Sequence, residues 1–206
     1  MKIAIIVEGQ TEKAFLPHLR NFLSARLPGR MPDLDPVPYN GRIPTGDKLK
    51  RDVERLLNDR RQPADAVIAL TDVYTGATPP QFTDAAAAKD QLRRWVGSND
   101  RFFPHAAQHD FEAWLLPFWD EIQRLAGHNQ ANPGTSPERV NHMNPPAHRL
   151  QAIFRAGNRG KAYVKPRDAG RILRGKDLLI SAQACPELRL LLNTILTLCG
   201  AAPLSP

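Results

Sequence analysis

Two cysteines, Cys185 and Cys199, are all that this chain of 206 residues carries, and they are not in CxxC spacing. That excludes a cysteine-built zinc site and a paired redox centre, and both are read as buried thiols in apolar C-terminal segments. No stretch reaches the ~18 consecutive apolar residues of a membrane span, which excludes helical insertion into a bilayer. The first apolar run, Ile3 to Val7, is interrupted by Glu8 too early for the apolar core of a signal peptide, so the expected location is the cytoplasm. Internal repeats and low-complexity tails are also missing. The phosphate-loop lysine is missing too. The stretch Gly41-Arg42-Ile43-Pro44-Thr45-Gly46-Asp47-Lys48 imitates a Walker A loop, but Asp47 stands where the lysine belongs, no strong strand precedes it and no Ser or Thr follows. The chain therefore has no nucleotide-hydrolysing site of its own, and any use of ATP needs a partner.

What is present is ordinary globular composition, 42% hydrophobic and 24% charged, in a length that fits one large domain. Twenty-eight basic residues against 21 acidic ones leave a formal charge of +7. A polyanion is attracted to such a surface, which favours nucleic acid as partner; a merely solvated basic surface is the alternative.

Lys2 to Val7 form a compact apolar run that ends in Glu8-Gly9, the pattern of a buried strand entering a turn. A helix follows: Thr11 suits its first turn, Glu12 suits the positive end of its dipole, and Phe15, Leu19, Phe22 and Leu23 recur at helical spacing. From 27 to 47 the chain is rich in Pro and Gly, with a short strand expected over Val37 to Tyr39. A helix over about 47–60, a strand over Ala66 to Asp72, a helix over Ala85 to Val96 and a strand over Phe102 to Gln108 come next. This alternation predicts an α/β fold with a parallel sheet flanked by helices, its functional groups gathered at the strands' carboxyl ends. Phe111 to Leu116 read as the start of a buried helix, and Trp95, Trp114 and Trp119 as core. Residues of about 120–160 form a polar loop or helical insertion, a candidate lid over 127–146, and 161–206 a basic segment and a small helical C-terminal extension ending in a helix over Pro186 to Leu198.

Glu8, Asp72 and Glu112 each stand at or just after the end of an apolar strand candidate, so folding brings them to one edge. A few carboxylates with waters and phosphate oxygens are what Mg²⁺ or Mn²⁺ needs for metal-assisted phosphoryl transfer; caps of the following helices are the plainer reading. His105 and His109, four apart, lack a third ligand and are read as structural. Lys165 and Arg167, followed at helical spacing by Arg171 and Arg174, form either a phosphate-gripping stripe or a solvated helix face. Lys13 and Arg42 are further candidates for holding phosphate.

Glu8-Gly9-Gln10-Thr11-Glu12 after the first strand, Asp72 after a later one and Glu112-Ala113-Trp114 after a fourth resemble the Toprim-like proteins of bacteria. With Tyr163-Val164-Lys165-Pro166-Arg167-Asp168-Ala169, Ile172 and Cys185-Pro186-Glu187-Leu188, the chain resembles, over nearly its whole length, the family catalogued as domain of unknown function 4276, allied to the OLD-family nucleases. The resemblance implies a Toprim-like Rossmannoid sheet, Glu8 as general acid or base, and Asp72 as a ligand of Mg²⁺. In the Toprim pattern an Asp-x-Asp pair holds the metal, whereas here Tyr74 occupies the second Asp position, and Glu112 or Asp110 is left to supply the missing carboxylate. It further implies a nuclease acting on DNA or RNA beside an ABC-type ATPase in defence against phage, or else a catalytically degenerate sensor or docking module for that ATPase. Whether the chain forms a homo-oligomer is left open.

Overall fold

In a computed structural model, residues 1–39, 41–75, 77–140, 144–157 and 162–205 are described. Residues 141–143, within the expected lid, and Lys161, which opens the basic segment, lie outside them. The apolar runs form strands where predicted: β1 (Lys2–Val7), β3 (Ala66–Asp72) and β4 (Phe102–Ala107). The remaining strand, β2 (Asp33–Pro38), is longer than the predicted segment at Val37 to Tyr39. All four pair in parallel in the order β2-β1-β3-β4.

β2 escapes a propensity reading because Pro36 and Pro38 break the expected run, yet both are harmless at an edge. Asp33 and Tyr39 donate their amides to Met1 and Val7 of the β1 side, so the even-numbered positions, including both prolines, turn their missing N–H toward the open edge. Pro104 in β4 does the same on the opposite edge, where Arg101 and Ala107 offer their carbonyls to β3. Proline on the outer side of each edge strand also discourages pairing with another chain.

β1 and β3 are buried on both faces, which explains their continuous apolar runs. Ile3, Ile5 and Val7 point to one layer, packed with α1 (Gln10–Ser24), α6 (Lys165–Ile172), α7 (Leu178–Ala184), α8 (Pro186–Leu198) and a 3-10 helix at Phe111–Phe118. Ala4 and Ile6 point to the other, against Leu49, Val53 and Leu57 of α2 (Gly46–Leu57) and Leu92 and Val96 of α3 (Ala85–Val96). The period of two thus builds a three-layer sandwich, each fully buried aliphatic side chain contributing about 1.5–3 kcal/mol. The polar segment after residue 118 holds α4 (Trp119–Ala126), a short 3-10 turn at Pro137–Arg139 and α5 (Pro146–Ala156).

Trp114 and Trp119 are buried, and Trp95 is half-buried. Cys185 is buried as read from the sequence, but Cys199, in the last turn before Gly200, is partly exposed. His105 is buried, with Nε2 3.0 Å from Thr194 Oγ1 of α8.

Candidate active site

The sheet order places its switch point between β1 and β3: the chain leaves β1 toward β2 on one side and returns to β3 on the other. The crossovers diverge there, and a crevice opens at the strands' carboxyl ends. Glu8, one residue past β1, and Asp72, the last residue of β3, straddle that crevice. Glu8 Oε1 accepts hydrogen bonds from Thr71 Oγ1 (2.5 Å) and from the Asp72 amide (3.0 Å), which lock the two strand ends together.

Glu12 stands one helical turn after Glu8. Its Oε2 accepts the Gly9 amide at 3.0 Å, the reciprocal half of a capping box that starts α1. At the end of β4, His109 adopts a positive φ of 69°, a conformation unusual for a side chain other than Gly or Asn. Past this turn the chain doubles back: the His109 carbonyl accepts the Tyr74 amide at 2.6 Å, and Asp72 Oδ1 accepts the Phe111 amide at 3.0 Å. Asp110 follows, with Oδ2 accepting the Ala147 amide in the first turn of α5 at 3.1 Å, a favourable place for negative charge.

Glu112 lies deepest, 1% exposed, with Oε1 3.4 Å from the Tyr163 hydroxyl and Oε2 3.2 Å from Lys165 Nζ. The structure therefore brings Glu8, Asp72, Asp110, Glu112 and Lys165 together. Glu8, Asp72, Asp110, Lys165 and the exposed Arg42 line one cleft of about 390 Å³, whose far wall is the start of α5. Arg167 and Arg171 are engaged elsewhere, both paired with the fully buried Asp168 at 2.8 and 3.2 Å. Lys13 is exposed on α1 and does not line the cleft.

Five carboxylates thus share one region, and their charges oppose one another. Burial, and secondarily the Glu12 charge, push Glu8 up to about 7 against the opposing bonds from Thr71 and Asp72. Burial and the Glu112 charge push Asp110 to about 7 as well. Asp72 is raised well above the carboxylate range by burial and then by Glu8, Glu12, Asp110 and Glu112, and Glu12 is raised by burial and by Glu112. Burial alone lowers Lys165, but Glu112, Asp72 and Asp110 outweigh it and keep the ammonium charged. Glu12 is the member that sequence reasoning assigned only to the helix dipole; its place in the first turn of the helix that follows Glu8-Gly9 was the available signal.

Carboxylate oxygens are the ligand type that a hard divalent cation takes. In Glu8, Asp72 and Asp110 the bonds above engage one oxygen each, leaving a second for a ligand. Asp110 Oδ1 is buried and makes no well-formed hydrogen bond among the described residues, although the nearby Glu112 amide favours its charged form. Among the described residues, no group of three or more His, Cys, Asp or Glu side chains is placed to hold a metal ion. Mg²⁺ does not require one, since it keeps several waters and takes one or two carboxylates with substrate phosphate.

A parallel sheet in the order 2-1-3-4, with helices on both faces and an acidic cluster at its switch point, defines a doubly wound α/β protein. The chain belongs to the family described as Domain of unknown function (DUF4276), whose profile matches residues 7–196. Among solved structures it is similar to the C-terminal region of the Burkholderia pseudomallei OLD protein, with a TM-score of 0.50 and 12% identity over 96% of this chain and 98% of that one. No curated protein matches it. Among the described residues, no helix is long and apolar enough to cross a membrane.

Proposed function

We propose that the chain acts as one Toprim-like domain that cleaves phosphodiester bonds in nucleic acid with Mg²⁺ or Mn²⁺. The observation that carries this reading is the gathering of Glu8, Asp72 and Asp110, carboxyls whose charges oppose one another, on one cleft at the sheet's switch point. Asp72 and Asp110 would hold the ion, which leaves the second oxygen of Glu8 for proton transfer. Once bound, it neutralises phosphate charge and lowers the pKa of an attacking water.

The side chains supply the rest. Glu8, with a pKa near 7, is matched to proton transfer at neutral pH, as base toward the attacking water or acid toward the leaving oxygen. Lys165, charged and held by Glu112 at the cleft, opposes the negative charge that builds on the phosphate. Arg42 adds a second cation on the rim. The absence of a nucleotide-hydrolysing site in the chain is in keeping with a role as the cutting partner of an ABC-type ATPase in anti-phage defence. The substrate, DNA or RNA, is whichever strand the cleft accepts.

Tyr74, in place of a second carboxylate after β3, favours a second reading: a domain that has kept the fold and serves as sensor or docking partner for an ATPase. Calorimetric titration with Mg²⁺ separates the two. A metal-dependent hydrolase binds the ion, and Asp72→Asn weakens binding about tenfold or more, a difference of ~1.4 kcal/mol. A docking domain shows no binding that depends on Asp72 or Asp110, and that result would overturn the nuclease reading.

A further inference from the structure

Resting on the nucleic-acid reading of the cleft, we infer that Tyr74 is a base-stacking residue and that the cleft takes a single strand rather than a duplex. Tyr74 is one of the few large side chains with apolar surface left exposed, at 39%, and it lines the same cleft as Glu8, Asp72 and Lys165. Its backbone is fixed: the Tyr74 amide donates to the His109 carbonyl at 2.6 Å, which ties the ring's position to the strand ends that carry the acids.

Arg42 is built into the same rim. Its Nε donates to the Thr75 carbonyl at 2.9 Å, and it has no carboxylate partner among the described residues, so the rest of the guanidinium is available to an anion. The bond joins the loop after β2 to the turn after β3 and keeps a cation on the cleft that Tyr74 also lines. Phosphate gripped by Arg42 and Lys165 leaves the attached base beside Tyr74. A base offers a face for stacking whatever its identity, so this contact brings affinity without sequence preference.

Size and access point to a single strand. A cleft of about 390 Å³ is in the range of sites that enclose one small molecule or one nucleotide. In a duplex both faces of each base are already stacked, so a ring on the rim finds a partner only where the strand is unpaired.

The test is binding, measured by fluorescence anisotropy with Ca²⁺ in place of Mg²⁺ so that cleavage does not intervene. The probes are a labelled single-stranded oligonucleotide, the same strand with one run of abasic sites, and a duplex. Expected is a loss of roughly 5- to 150-fold for the single strand in Tyr74→Ala, retention in Tyr74→Phe, and no change for the duplex. The abasic strand should bind the wild type as weakly as the intact strand binds Tyr74→Ala. Wild-type affinity of Tyr74→Ala for the single strand, or an equal loss for strand and duplex, overturns the stacking role and leaves the nuclease reading standing. A wild-type chain that binds no oligonucleotide overturns both.

Discussion

At the scale of single residues, the site is a contest between desolvation and the few cations that face it. Glu8 and Asp110 both sit near 7, raised from 4.5 and 3.8. A folded carboxyl group with a raised pKa binds its proton more tightly than the same group in the unfolded chain. Between about pH 4 and 7 the folded state therefore holds more protons, and stability falls as pH rises through that window. In the chelated, metal-free protein, Glu8→Gln removes one of these penalties. Its melting temperature should match the wild type near pH 4.5 and exceed it by a few degrees at pH 8, at ~2–4 °C per kcal/mol for a domain of this size. A difference that shrinks toward high pH would contradict the assignment of Glu8 as a carboxyl strained by burial and like charge.

The same scale shows what could be read from the sequence. Glu8 and Asp72 were legible because each interrupts an apolar run that only a buried strand explains, and strand ends in a parallel sheet share an edge. The choice between Asp110 and Glu112 was not legible. It depends on the left-handed turn at His109 and on which carboxylate Lys165 takes, and neither is encoded in local spacing. Arg167 and Arg171 looked like a free basic stripe because nothing in the pattern shows that Asp168 between them is turned fully inward.

At the scale of elements, helix ends do much of the positioning. The capping box at α1 sets Glu12 beside Glu8, the first turn of the 3-10 helix receives Asp72, and the first turn of α5 receives Asp110. The position of α5 therefore matters to the site. It is set in part by Gly157, just past the helix, where an added Cβ would lie 1.9 Å from the Ala126 carbonyl oxygen at the end of α4. Both partners are backbone, so neither yields easily. Gly157→Ala should lower stability by about 1–3 kcal/mol, read as a melting-temperature drop of several degrees. An unchanged melting temperature would mean that α4 and α5 do not pack this closely. The strands and α3 and α8 were legible to within a residue or two, whereas β2 was truncated because Pro36 and Pro38 argue against a strand everywhere except on an edge.

At the scale of the whole molecule, the fold gathers acidity at one point of a chain that is basic overall. The formal charge of +7 favours a polyanion at the surface, while the cleft itself holds carboxylates that repel phosphate, a repulsion that the divalent ion of the proposed reading would relieve. This makes metal and nucleic acid interdependent: either should strengthen the binding of the other, because each relieves a charge that the other leaves exposed. The order of strands is what allows it, since only the switch between β1 and β3 opens a crevice with two acid-bearing strand ends on its sides.

The central claim is that this crevice cuts phosphodiester bonds through Glu8. The most direct measurement is cleavage of single-stranded DNA, duplex DNA and RNA with Mg²⁺ or Mn²⁺, wild type against Glu8→Gln, with and without an ATPase partner. The account predicts metal-dependent cutting by the wild type that falls by about 10²- to 10⁴-fold in the variant, the usual contribution of a positioned acid or base. Cutting that survives in Glu8→Gln, or a wild type inert on every substrate under every condition, would contradict it.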